Sequence, residues 1–269
     1  MDARDKIKED DYMIINNNIS ALNTRNQLFI TNTAAGKSME KLSSGKRINR
    51  AADDAAGLSI SEKMRAQIRG LQQAARNAQD GISLIQTAEG ALDEVSNMLV
   101  RLKELAVQKA NGTYNEDDVA NLELEMDSLG AEIDNIFKTT KFNGKVILTT
   151  AVTIVISDDG KTALTISATP TNDIVGLDST VTVSDIEGAI KAVNKARATY
   201  GAKQNRLEST VRNLKTTAEN LQAAESRIRD TDMAEEMSNF TKYSILIQAG
   251  TAMLAQANMA PQSVLSLLR

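Results

Sequence analysis

The sequence predicts a mainly α protein, a long antiparallel coiled-coil bundle whose N- and C-terminal halves pair into a rod, with a small β-hairpin insert. Three observations predict it. Apolar residues recur in alternating steps of four and three over residues 64–85 and 186–228, the seven-residue repeat that turns one helix face toward a partner. Residues 1–169 contain no proline, so nothing there breaks a helix outright. Aromatic residues make up only 3% of a chain that is 42% hydrophobic. A compact core draws much of its buried area from rings, whereas a thin helical seam closes with Ala, Leu, Ile, Val and Met.

Residues 1–12, MDARDKIKEDDY, hold five acids and three bases with Ile7 as the only large aliphatic. They cannot supply a buried face and read as a disordered charged extension. From Met13 the composition changes, and Ile15, Ile19, Leu22 and Phe29 fall at helical spacing in a first helix reaching about Met39. Ser43-Ser44-Gly45 breaks it, and Asp53 and Asp54 stand as N-cap candidates for the next segment. Met64, Ile68, Leu71, Ala75, Ala78, Ile82 and Ile85 keep the heptad, and Leu92, Leu99, Leu102 and Ala106 extend it. That gives a helix of about 50 residues ending near Asn111-Gly112. Asn115 ahead of Glu116-Asp117-Asp118 caps a third helix carrying Val119, Leu122, Met126, Leu129, Ile133 and Ile136.

The period then shortens. Lys145–Thr149, Ala151–Ile156 and Thr162–Ser167 are β-branched runs, with Asp159-Gly160 as a hairpin turn between the last two. Ser184 and Glu187 fit a capping box. Behind it, thirteen positions from 186 to 228 follow the heptad without a slip, and the exceptions to apolar or Tyr are Arg197, Gln204 and Glu225. After a break at Asp230-Thr231-Asp232, a last helix uses Met233, Met237, Phe240, Ile247 and Leu254 before Pro261 and the tail Val264–Leu268. The terminal helices bear thin apolar stripes, which are marginal in isolation. Two readings stay open for them: ordering only on assembly, or an ordinary intramolecular bundle.

Composition excludes most catalysis. The chain has no His, Cys or Trp, which removes Ser/His/Asp and Cys/His centres, His- or Cys-ligated zinc, thiolate-held clusters and disulfides. No cofactor is expected and no enzyme activity. A net charge of −4 gives no support for nucleic-acid binding, and no apolar run approaches the ~18 residues of a membrane span. Asp53-Asp54 and Asp117-Asp118 sit where helices begin, so capping explains them better than a cation site. Gly36-Lys37-Ser38 lacks the upstream glycine of a phosphate loop, since that position is Thr31. The basic run Lys46–Arg50 reads as a connecting spoke.

Four strings then carry a resemblance. Ile15-Asn-Asn-Asn-Ile-Ser-Ala-Leu-Asn23, the run from Leu42 to Ile60, Arg227-Ile-Arg-Asp-Thr-Asp-Met-Ala-Glu-Glu-Met237, and Gln248-Ala-Gly-Thr-Ala-Met-Leu-Ala-Gln-Ala-Asn258 closely resemble bacterial flagellin over residues 13–149 and 184–269. The resemblance implies an inner coiled-coil terminal domain from 13–45 with 230–269, connecting spokes at 46–54 and 227–229, and a rod domain from 55–149 with 184–226. The variable region is reduced to 150–183.

By the same resemblance the chain is exported unfolded through the flagellar type III apparatus, handled by an export chaperone, and polymerises outside the cell below the filament cap. Its neighbours are further copies of itself and the hook-associated proteins. The alternatives are a hook-filament junction protein or a specialised minor flagellin. Ile15, Ile19, Leu22, Phe29, Phe240, Ile247, Leu254, Leu267 and Leu268 are the expected self-assembly seam, and Leu254→Asp is expected to stop polymerisation while leaving the rod folded. The family's Toll-like receptor 5 contacts match Arg101, Leu105 and Glu125. Arg101 and Leu105, four apart, share a helix face and are expected to present a charge beside an apolar contact.

Overall fold

The computed structural model describes residues 17–169 and 174–267, the last seven of these by their backbone alone. Expectations for residues 1–12, Ile15 and Leu268 lie outside the described residues. Nine elements follow in order: α1 Ile19–Ser44, α2 Ala55–Lys109, α3 Glu116–Thr139, β1 Lys141–Phe142, β2 Lys145–Val146, β3 Val152–Val155, β4 Ala163–Ile166, α4 Val183–Arg229 and α5 Met233–Leu267. The mainly helical fold with a small antiparallel hairpin insert is the one the periodicities predicted. The chain divides into two compact units, one from residues up to Glu62 with those from Ala224 onward, the other Lys63–Ala223.

Several boundaries differ from expectation, each for a local reason. Helix α1 passes Met39 to Ser44, because its end is set by Gly45, whose φ of 68° puts it in the left-handed region and whose N–H reaches Lys41 O. Of the two aspartates, Asp54 caps α2, accepting from Gly57 N at 2.8 Å. Asp53 instead accepts from Asn49 N and Arg50 N in the preceding loop, and these bonds hold its carboxyl below the ordinary value. Helix α2 therefore starts at Ala55 and runs 55 residues. The capping box lies two residues earlier than the sequence suggested, since Asp185 Oδ2 accepts from Thr182 N at 3.0 Å and from the Thr182 hydroxyl. Glu187 is thereby free to pair with Lys103 on α2 at 2.9 Å. The C-terminal segment does not stop at Pro261, because α5 continues to Leu267.

In the unit 63–223, the heptad faces of α2 and α4 form the core. Leu92, Val95, Leu99 and Leu102 of α2 are completely buried with Ile186, Val193 and Leu207 of α4, joined by Met126, Ile133 and Phe137 of α3. Arg197, the first break in the apolar repeat, pairs with Asp93 at 3.0 Å. Toward residues 71–75 and 214–218 the core thins to a small cluster of Leu71, Ala74, Ala75, Leu214 and Ala218.

The insert holds one hairpin the sequence reading missed. Only Lys145–Val146 of the first β-branched run is a strand, and it pairs with Lys141–Phe142. Asn143 and Gly144 between them have φ of 48° and 79°, the double positive φ of a type I′ turn. In the second hairpin, Val152–Val155 pairs antiparallel with Ala163–Ile166. Helical side chains tie both of its outer edges. Asn77 donates to Val155 O at 3.2 Å, and Lys203 Nζ donates to Thr165 O at 2.8 Å and Ser167 Oγ at 3.1 Å. Edge carbonyls satisfied in this way are poor templates for strand addition. Burial lowers the Lys203 pKa, and it raises that of Tyr200, whose hydroxyl sits 3.0 Å from buried Thr169 Oγ1.

Candidate assembly surface

Helices α1 and α5 belong to one unit and pack antiparallel. Asn18 Nδ2 donates to Ala257 O at 2.7 Å near one end, and Lys41 meets Glu236 at 3.6 Å near the other. On α1, Ala21, Thr24, Leu28, Thr31, Ala35, Ser38 and Leu42 are buried or partly buried in alternating steps of three and four, with Ala34, Glu40 and Lys41 partly buried beside them. On α5 the matching set is Glu236, Phe240, Tyr243, Ile247, Gly250, Leu254 and Ala257. A Cβ on Gly250 would stand 3.2 Å from Leu28 Cδ1, so the two faces are in contact. The seam is thus a heptad pairing of mixed sizes, in which Gly250 of α5 makes room for Leu28 of α1.

Of the residues expected to serve self-assembly, Ile19, Leu22 and Phe29 lie outside this intramolecular seam, 58%, 45% and 73% exposed. On α1 this intramolecular face is mostly Ala, Thr and Ser, with Leu28 and Leu42. Phe240, Ile247 and Leu254 are half-buried in the intramolecular seam rather than outward. The backbone at Leu267 is the last of α5. Exposed apolar residues not named for assembly are Ile30 and Met39 on α1 and Met233, Met237, Ile245, Leu246, Met253 and Met259 on α5. Assigning α1 its seam from the Ala/Thr/Ser repeat would have found the first two.

The joint beside this pair is built from the basic run. Lys46 bridges Asp230, Arg47 N donates to Arg229 O at 2.7 Å and Thr231 N to Gly45 O at 3.1 Å. The Arg47 guanidinium donates to Ile228 O at 2.7 Å, and buried Arg229 meets Glu62 at 2.6 Å. Arg50 pairs with Glu40 at 2.9 Å. These contacts explain the basic residues without a phosphate.

On the other unit, Arg101 and Glu125 are brought together across α2 and α3. They form an ion pair at 2.9 Å with about half of each side chain exposed, and Glu104 adds a second partner at 3.2 Å. Hydrogen bonding to Glu125 raises the Arg101 pKa further. Leu105 is only 1% exposed and lies in the core, so the expectation that it stands open beside Arg101 is corrected. Positions four apart on a helix are neighbours, but a difference of 40° between 4 × 100° and a full turn rotates one of them into the seam here. The exposed apolar residues next in sequence to the pair are Val100, before Arg101, and Leu124, before Glu125, at 49% and 70% exposure. Among the described residues there is no carboxylate group able to hold a metal and no helix long and apolar enough to cross a membrane.

Two family models match the chain: the bacterial flagellin N-terminal helical region over residues 15–153 and the bacterial flagellin C-terminal helical region over 183–268. The chain belongs to the bacterial flagellin family. It is similar to a flagellin of Halalkalibacterium halodurans, 53% identical over 96% of this chain and all of that protein. A flagellin of Bacillus subtilis is 48% identical and the flagellar filament 33 kDa core protein of Treponema phagedenis 49%, with the same coverage. As a flagellin, the protein is an extracellular structural component of the flagellar filament. These matches do not favour the junction-protein alternative.

Proposed function

We propose that subunits polymerise through the apolar side chains that α1 and α5 leave outside their mutual seam, and that this unit is the inner domain of the filament. The observation that carries this reading is the exposure of Phe29 at 73%, with Ile30, Ile245 and Met253 also near 60%. Isolated exposed apolar residues are common, but a helix pair that leaves this many large apolar side chains outside its own seam has surface left for partners. A subunit that binds other copies through unlike surfaces adds head to tail, and when the rotation does not close the product is a helical filament. On this reading the unit 63–223 is the rod domain, built from about 55–149 with 184–226. The chain reaches the filament by type III export with an export chaperone, and the filament cap and hook-associated proteins bound it.

The test is electron microscopy of the purified protein under polymerising conditions, with hydrogen exchange on monomer and filament. Filaments are expected, with amides of α1 and α5 protected far more than in the monomer. Filaments in which those helices exchange as in the monomer would overturn the choice of surface.

A second reading concerns the Arg101–Glu125 pair, which fits a charged receptor contact for Toll-like receptor 5, with Leu105 supporting it from the core. Arg101→Ala is expected to weaken receptor signalling by the monomer by roughly tenfold or more, the usual effect of losing a central arginine contact. Equal signalling from both proteins would end this reading.

A further inference from the structure

Ten methionines occur in the sequence, and eight lie in the described residues. They divide by place. Met126 is fully buried, and Met64 and Met98 are half-buried on α2. The other five, Met39 on α1 and Met233, Met237, Met253 and Met259 on α5, are between 48% and 61% exposed. No exposed methionine is found on α2, α3 or α4 among the described residues. Volume does not require the thioether, because Leu would fill the same space. What the thioether adds is a flexible, polarizable contact and a reactive sulfur.

We infer that these five methionines are an oxidation site that switches off subunit association, with hydrogen peroxide as the co-reactant. This rests on the assembly surface proposed above. In the step, a sulfur lone pair attacks one peroxide oxygen, the S–O bond forms as the O–O bond breaks, and proton transfer releases water. The sulfur loses two electrons and the peroxide gains them. The product is a polar sulfoxide, reducible by methionine sulfoxide reductases. Buried against apolar partners without a donor, each sulfoxide opposes the contact that the thioether favoured. The free subunit is open to peroxide at all five positions. The assembled subunit shields them, so sensitivity belongs to the chain before incorporation.

The experiment treats full-length monomer and preformed filament with hydrogen peroxide, maps the added oxygen by peptide mass, and measures the critical concentration for polymerisation. The five sites are expected to oxidise in the monomer well before Met126, to be protected in the filament, and to raise the critical concentration about tenfold or more when oxidised. Reductase treatment restores polymerisation. A variant with all five replaced by Leu polymerises equally with and without peroxide. Oxidised monomer that polymerises at the untreated concentration overturns the inference and leaves the assembly surface standing. So does a Leu variant that peroxide still inactivates. If the Leu variant fails to polymerise untreated, recovery of the oxidised native chain by reductase supports the inference, and no recovery overturns it. Filaments whose five methionines oxidise as fast as in the monomer overturn the assembly surface itself.

Discussion

Phe29→Asp is expected to abolish filament formation while leaving the monomer's unfolding transition unchanged. Phe29 is 73% exposed and lies outside the α1–α5 seam, so the monomer loses no internal contact. In a filament the same position would forfeit the ~1.5–3 kcal/mol of a buried Phe and carry an unpaired carboxylate whose desolvation costs several kcal/mol more. Together these raise the critical concentration by at least about a hundredfold. Sedimentation and electron microscopy would report it, with calorimetry of the monomer as control. Leu254→Asp also stops assembly on this account but is the poorer probe. Leu254 sits in the seam against α1, so the charge melts the helix pair and the monomer loses helical signal as well. If Phe29→Asp polymerises normally, the outer face is not the interface.

Gly130→Ala is the largest expected effect on stability. A Cβ at Gly130 would run into the backbone oxygen of Leu177. That segment has little room to retreat, because Gly176 N donates to Asp134 Oδ1 at 2.9 Å and Ser179 N to Asp127 Oδ1 at 2.7 Å, both on α3. Overpacking of this kind costs about 3 kcal/mol, offset by about 1 kcal/mol of better helix propensity. The net loss of about 2 kcal/mol lowers the melting temperature by roughly 4–8 °C for a unit of this size. Gly90→Ala is the control, since nothing lies within 4 Å of its added Cβ; it is expected to stabilise α2 by up to about 1 kcal/mol. Equal behaviour of the two variants would refute the close-approach argument.

The heptads of α2 and α4 were legible in the sequence because each long helix buries one face, and burial selects apolar residues at fixed spacing. Leu92, Leu99, Val193 and Leu207 all lie where the spacing put them. The face that α1 turns to α5 was less legible, because its buried residues are Thr31, Ala35 and Ser38 while Phe29 and Ile30 stand exposed, so hydrophobicity alone does not mark it. Asn143-Gly144 was legible in principle as a turn signal, but two-residue strands give no alternation to flank it. The fate of Leu105 depended on the rotation of α2 against α4, which a four-residue spacing does not specify. Asp185 and Glu187 illustrate the same limit: both are acids at the head of α4, and only the backbone path decides which one caps the helix and which one reaches Lys103.

The hydrogen bond from Asn18 to Ala257 spans 239 positions of sequence. Because α1 needs α5 to cover its seam, a chain cut short anywhere before residue 233 keeps Ile19, Leu22 and Phe29 but has no second helix to align them. Closing so long a loop is also entropically costly. If subunits join through the outer face of this pair, as proposed, joining the polymer also tests completeness: a copy without its final helix is left out of the growing structure without any separate inspector.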